Sequence, residues 1–261
     1  ASREAMEGKS KEELRQEGWV FHGGASSAGA KGAARHFYGG VTSSDEDQEG
    51  ERLLGIIVQH GSQAAEEVLE TMASDGRRAV QAKGCAALAI LAEKDAGRAV
   101  ALGLHAVLAV LSAMEALLDA PAVQASGCSA LGNLCLGAGA SEVLKGGGID
   151  AVIRAMKAHP AEVAVQEKGC LALGNLAFTD QGETAAVEQG SVAAIAVALK
   201  ALGAQHAKVA EEACDALANL VAGEAGKQAL LAEDGVVLLG AHPGIASAVE
   251  VLAELRKKQG E

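Results

Sequence analysis

The chain has 261 residues, of which 49% are hydrophobic but only 2% aromatic, and its formal net charge is −12. This charge argues against a nucleic-acid-binding protein, which needs a basic stripe to displace counterions, and against docking on an anionic membrane surface. The charge is compatible with a basic partner protein, and equally with simple solubility of an alanine-rich chain. No uninterrupted apolar run reaches the roughly 18 residues of a membrane-spanning helix, so direct membrane insertion is not predicted.

Residues 1–48 are predicted to form an N-terminal arm. The stretch 18–40 is rich in Gly, Ala and Ser and has no apolar periodicity. The arm nevertheless holds four of the five aromatic residues of the chain, which are Trp19, Phe21, Phe37 and Tyr38. These rings either pack back onto the following helices as a cap or anchor the arm on another protein, since Trp and Tyr carry much of the energy at interfaces. Plain disorder of the arm is the third interpretation.

A short phrase occurs four times after the arm, and each copy ends in a cysteine. The copies are Val80–Cys85, Val123–Cys128, Val165–Cys170 and Val209–Cys214. The four cysteines are 43, 42 and 44 residues apart, and each is followed by a run of small apolar residues. A period of about 40–47 residues is typical of a helical solenoid, in which each unit buries its apolar face against its neighbours. The sequence therefore predicts an all-α repeat protein.

The third unit shows the plan of a repeat most clearly. A short helix over 141–145 is broken by Gly146–Gly148, a second helix is predicted over 149–158, and His159-Pro160 ends it before a long third helix over 163–178. The same plan applies to the other units, where a second helix is predicted to open at Gly61, Gly103, Gly190 and Gly235. We expect layers at about 49–94, 95–137, 138–179 and 180–222, a degenerate terminal cap at 223–258, and a tail at 259–261.

The five cysteines are predicted to be buried free thiols. A disulfide framework would not place one cysteine at the same helical position of each layer, so small buried thiols explain the pattern better. They favour a reducing compartment, which is the cytoplasm, or an organelle interior if the missing initiator Met reflects a cleaved leader. Layers lie about 10 Å apart, too far for these cysteines to share a zinc ion. No constellation for catalysis, metal or cofactor binding is apparent, so a non-enzyme is expected.

Residues 147–177 carry a resemblance to the armadillo repeat family, through the Gly before the second helix and the Ala-Leu-Gly-Asn-Leu run in the third. The resemblance covers residues 49–258 and implies a right-handed α-α superhelix with about four full repeats. In peptide-binding members such as importin-alpha and beta-catenin, third helices line a concave groove, and an Asn on each hydrogen-bonds an extended peptide. By motif position that Asn corresponds to Asn133, Asn175 and Asn219, whereas the first unit has Ile90. The alternative is that these amides tie neighbouring layers together.

The resemblance departs from importin-type receptors at the position of their Trp, which here is Ala86, Ser129, Leu171 and Asp215. A nuclear-import receptor is therefore not expected. In the fourth layer Glu211, Glu212 and Asp215 are expected near Asn219, where they would either hold a basic segment or form a solvated acidic face.

Two functions follow from these observations. The first is a non-catalytic scaffold or adaptor that binds an extended partner segment in the groove. The second is a structural or accessory subunit of a large assembly, anchored on its neighbouring subunits through the N-terminal arm.

Overall fold

The structure is a computed structural model that describes residues 45–259, with side chains for residues 48–257. The predicted arm, including Trp19, Phe21, Phe37 and Tyr38, lies outside the described residues. Across 45–259 every regular element is a helix. The α-helices span Asp45–His60, Ala65–Ser74, Arg78–Ala92, Asp95–Gly103, Ala106–Ala116, Pro121–Leu134, Ala140–Lys145, Gly148–Ala158, Val163–Leu176, Asp180–Glu188, Ser191–Leu202, Ala207–Leu220, Glu224–Ala232, Gly235–Gly240 and Ala246–Gln259, with 3-10 turns at Gly61–Ala64 and Gly137–Gly139.

These helices form an all-α superhelical solenoid. From Asp95 onward each layer has a first, a second and a third helix, and each class of helix packs on its counterpart in the next layer. The third helices make the most extensive contacts with one another and form one continuous stack. The hydrophobic core lies between this stack and the second helices. The predicted fold class is confirmed.

The helix Asp45–His60 has a different role from the one that its place in the sequence indicates. It packs along the third helix of layer 1, Arg78–Ala92, as the third helices pack on one another. An ion pair of 2.6 Å between Lys83 Nζ and Glu51 Oε1 joins the two. The first helix of layer 1 is reduced to the turn Gly61–Ala64. Residues 45–60, here called the leading helix, therefore stand where the third helix of a preceding layer would stand.

The turn before each second helix needs a residue in the left-handed conformation. Gly147 and Gly190 supply it at φ of 83° and 84°, as glycine does without steric cost. His105 and Asp234 take the same conformation at 59° and 57°, which is uncommon for residues with a side chain. Gly103, predicted to open a helix, instead ends the first helix of layer 2.

Small residues let the third helices approach closely. A Cβ added to Gly132 would lie 3.1 Å from the Cα of Ala172, and one added to Gly174 would lie 3.0 Å from the Cα of Ala216. These contacts explain why the third helices are rich in Ala and Gly.

All five cysteines are free and buried, as predicted, at Cys85, Cys128, Cys135, Cys170 and Cys214. No single helix in the described part of the chain is both long and apolar enough to cross a bilayer. Two helix pairs meet that test only jointly, with bends of 74° and 72°.

Candidate functional site

The three asparagines of the predicted groove each donate a hydrogen bond to the preceding layer. Asn133 Nδ2 donates to the carbonyl of Ala89 at 2.9 Å, Asn175 Nδ2 to that of Gly132 at 3.0 Å, and Asn219 Nδ2 to that of Gly174 at 3.1 Å. The three acceptors occupy the same position of their respective third helices. The amides therefore form a regular ladder that ties each layer to the one before it, which is the structural alternative drawn from the sequence.

Exposure differs along this asparagine ladder. Asn175 and Asn219 are only 9% and 5% exposed, whereas Asn133 is half-buried. A buried amide that already bonds a carbonyl has little left to offer a ligand. Layer 1 has Ile90 at this position, and there the ion pair of Lys83 with Glu51 makes the polar contact to the leading helix.

A second ladder, which the sequence analysis missed, is built from glutamines. Gln166 Nε2 donates to the carbonyls of Met156 and His159 at 2.8 and 2.9 Å, at the end of the second helix of its own layer. Gln81 and Gln124 make the equivalent pairs of bonds in layers 1 and 2. Each glutamine thus bonds the methionine carbonyl in the last turn of the second helix, where a helix leaves carbonyls without partners within it, and a second carbonyl three residues further on. The signal was in the repeated Val-Gln of the phrase, which layer 4 replaces with Val-Ala210.

Two more side chains cross between layers. The buried Arg98 donates through Nη1 to the carbonyl of Ala92 at 2.7 Å and to that of Asn133 at 3.4 Å, and it also pairs with Asp95. His159 Nε2 lies 2.7 Å from the carbonyl oxygen of Leu118 in the preceding layer. These contacts hold the layers in register and do not form a ligand site.

The predicted acidic cluster is divided by the structure. Lys208 Nζ lies 2.9 Å from Glu211 and 3.1 Å from Glu212, so it neutralises part of the charge. Burial raises the pKa of Glu212, and the hydrogen bond from Lys208 opposes that rise. Burial alone would lower the pKa of Lys208, but its hydrogen bonds with both glutamates outweigh burial and raise it. Glu211 and Asp215 instead border a cleft beside the last layer.

In each third helix, the residue directly after the repeated cysteine belongs to a row that runs along the stacked third helices. It is the buried Ala86 in layer 1 and the half-buried Ser129, Leu171 and Asp215 in layers 2 to 4. This third-helix row therefore changes from apolar and neutral side chains to a carboxylate along the solenoid.

The cysteine thiols have no chemical activation. Burial raises the pKa of Cys85, Cys128, Cys135 and Cys214 to about 12, and it raises that of Cys170 as well. Because the thiolate is the reactive form, these are packing residues. Within residues 45–259 no three His, Cys, Asp or Glu side chains come together in a way that could hold a metal ion.

No protein-family model matches the sequence, and no curated protein matches it. Among the solved structures that resemble the chain are two engineered proteins determined by the Northeast Structural Genomics Consortium. One superposes with a TM-score of 0.59 at 19% identity, covering 82% of this chain and 98% of the other. The second has a TM-score of 0.62 at 18% identity, covering 82% of this chain and 100% of the other. At this identity the likeness supports the helical repeat fold alone.

Proposed function

We propose that the chain is an armadillo-type solenoid that acts as a non-catalytic protein-interaction module, either scaffold or adaptor. It holds an extended segment of a partner protein along its third helices. The observation that carries this proposal is the third-helix row, which offers one half-buried side chain at a fixed position in each of layers 2 to 4. An extended chain laid across the layers would meet these side chains in turn, and each could select one residue of the partner.

The row also indicates what the partner segment carries. Leu171 suits an apolar side chain, and Asp215 with the neighbouring Glu211 suits a basic one. The net charge of −12 would speed encounter with a basic segment. Asn133 is half-buried, so it is the ladder amide best placed for an additional contact with the partner.

The test is to block the row without disturbing the ladders. Ser129→Arg and Leu171→Arg place long charged side chains on the half-buried row positions, and Val197→Arg is the control on a second helix, where Val197 is 55% exposed. Each full-length variant would be used as bait against extract of the native source, with quantitative mass spectrometry of the bound proteins. We expect both row variants to lose the partners that the wild type and the control retain. Retention of all partners by the row variants would show the proposal to be wrong.

A second candidate function is a structural subunit anchored through residues 1–48. The engagement of the asparagine ladder between layers favours it, because those amides are then less available to a groove ligand. Trp19→Ala with Phe21→Ala should release the protein from a large native complex on size exclusion, while Leu171→Arg should leave it there. If the aromatic variant co-elutes unchanged, the arm is not the anchor.

A further inference from the structure

A cleft of about 640 Å³ lies between layer 4 and the last layer, the terminal cap at 223–258. Its walls are the end of the second helix of layer 4 at Gly203 and Ala204, the start of the third helix at Ala210, Glu211 and Asp215, and the last helix at Ser247. A smaller cleft of about 430 Å³ lies beside Gln81, between layers 1 and 2, so what sets the larger cleft apart is that no glutamine borders it at the equivalent position.

A rung of the glutamine ladder is missing at the cleft beside layer 4. In layer 3, Gln166 reaches from the third helix to two carbonyls at the end of the second helix. In layer 4 the same position is Ala210, whose methyl group cannot span that distance or donate a hydrogen bond. The end of the second helix of layer 4 therefore lacks the amide donor that it has in layers 1 to 3, and a group with several N–H donors from outside the layer can take that place.

The charges around the cleft select a cation. Asp215 has no ion-pair partner among the described residues, and Glu211 shares Lys208 with Glu212. The carboxyl end of the second helix, Ser191–Leu202, adds the negative end of a helix dipole, whereas the amino ends at Ala207 and Ala246 add the opposite sign. His242 also borders the cleft. The three carboxylates of Glu211, Glu212 and Asp215 with the one ammonium of Lys208 leave a net charge of −2 at this place, and this charge outweighs the partial charges of the helix ends.

An unpaired hydroxyl at the same place points to a ligand. Ser247 is 3% exposed, and its Oγ has no hydrogen-bond partner within the part of the chain that the structure describes. Buried hydroxyls are normally paired, so one without a partner beside a cleft is explained when an occupant of the cleft supplies the bond.

We infer that this cleft binds the guanidinium group of an arginine in the partner segment, which takes the place of the missing glutamine amide. Its planar set of N–H donors can bond the carbonyl end of the second helix and a carboxylate together, which a point-like ammonium does less well. The inference rests on the proposed function, since it names one residue of the segment that the third helices would hold.

The test uses the ¹⁵N-labelled full chain and two acetylated Gly/Ser heptapeptides, one with a central arginine and one with citrulline, its uncharged isostere. We expect the arginine peptide to shift the amide signals of residues 207–215 and 246–247, and the citrulline peptide to bind at least tenfold more weakly. Ala210→Gln rebuilds the rung and should weaken arginine binding at least tenfold while the protein stays folded. Asp215→Asn should weaken it as well, and Asp150→Asn, which removes an equal charge from layer 3, should not.

Equal binding of the two peptides, shifts located elsewhere, or unchanged binding by Ala210→Gln would each overturn the inference. These outcomes are separable from failure of the proposed function. If capture of the native partners still requires Leu171 but the arginine peptide does not bind the cleft, the groove proposal stands and the arginine site is wrong. If the cleft binds arginine but no partner depends on the row, the groove proposal is wrong.

Discussion

Asn175 shows how one amide can fix the distance between two layers. Its bond to the carbonyl of Gly132 spans 43 residues of sequence at 3.0 Å, in a place where the side chain is 9% exposed. Replacing Asn175 with Ala should lower the free energy of unfolding by about 1 kcal/mol, the usual net value of such a bond. Urea denaturation measures this difference. Ser129→Ala, at a half-buried row position, is the control and should change stability by less than about 0.5 kcal/mol. Equal stability of wild type and Asn175→Ala would mean that the ladder does not hold the layers together.

The buried thiols make stability depend on alkaline pH. In the unfolded chain a cysteine has a pKa of about 8.5, whereas burial raises the pKa of Cys85 and Cys128 to about 12. Between these values the unfolded state has lost the proton that the native state keeps, so the stability that is present below pH 8.5 falls as pH rises. Each thiol should contribute about 1.4 kcal/mol per pH unit to that fall.

Urea denaturation at pH 7.5, 9.0 and 10.0 tests this pH dependence. The loss of stability above pH 8.5 should be smaller in Cys128→Ala than in the wild type, because one titrating group has been removed. The same thiols should react with a thiol reagent at pH 8 only after unfolding. Rapid labelling of all five in the native protein would contradict their placement in the core.

For single residues, the sequence predicted which side chains occupy the repeated positions better than it predicted which groups those side chains bond. The motif identified Asn133, Asn175 and Asn219, and its spacing placed the cysteines in the core. It could not decide whether an amide bonds a carbonyl of the preceding layer or a ligand, because both are backbone acceptors beside the same helix face. The repeated Val-Gln marked Gln81, Gln124 and Gln166, but the carbonyls that these glutamines bond are known only once the second and third helices of a layer are packed together.

Each of the first three layers joins its second and third helices through one methionine and one glycine. A Cβ added to Gly84, Gly127 or Gly169 would lie 2.4, 2.4 or 2.5 Å from the Cγ of Met72, Met114 or Met156, respectively. Layer 4 has Ala213 in place of the glycine and the buried Leu199 near the end of the second helix. The two positions have changed together, as expected for side chains that share one space.

This pairing predicts the result of a substitution cycle in layer 3. Gly169→Ala gains about 1 kcal/mol of helix propensity but forces a contact with Met156 that costs about 1–3 kcal/mol, so we expect a net loss of stability. Adding Met156→Leu should recover part of the loss, although Met156→Leu alone should be close to neutral. Thermal unfolding of the three variants measures the coupling between the sites. A stabilised single Gly169→Ala variant would show that the methionine side chain yields freely.

Helix boundaries were predictable where glycine and proline mark them. In the third unit the predicted and observed ends agree within two residues, because Gly146–Gly148 and His159-Pro160 interrupt the chain there. The role of the leading helix was not predictable, since 45–60 lacks the repeated phrase and its position is set by packing against Arg78–Ala92. The left-handed conformation of His105 was not predicted, because nothing in the sequence marks a residue other than glycine that takes this conformation.

For the whole molecule, the period of the repeat was sufficient to predict the solenoid but not its use. A repeat records how each layer packs on its neighbours, and this is the same in every layer. A binding site depends on what differs between layers, such as Ala210 in place of glutamine or Asp215 in place of Leu171. Those differences are single substitutions, and their effect is visible only when the layers are stacked.

Both ladders stop before the last layer, and this should make the solenoid unevenly stable. The helix Ala246–Gln259 has no asparagine to bond layer 4, and Ala210 removes the glutamine rung beside it. The polar contacts between these layers include the hydrogen bond of 2.6 Å from the backbone N–H of Gly223 to Glu183 Oε1. They also include the exposed pair of Lys200 and Glu233 at 3.4 Å, and exposed pairs add little. The apolar contacts of Val251 and Leu255, both buried, must then carry most of the interface.

Because each layer of a solenoid is stabilised only by its neighbours, a weak interface at one end allows that end to open alone. Hydrogen exchange measured by mass spectrometry should therefore show faster exchange in residues 224–259 than in the third helices of layers 2 to 4. Ala210→Gln, which restores the rung in layer 4, should slow exchange in its second and third helices, and Asn175→Ala should speed exchange on both sides of the interface that it breaks. Uniform protection from 78 to 259 would mean that the layers open together and that apolar packing, rather than the ladders, sets the cooperativity of the solenoid.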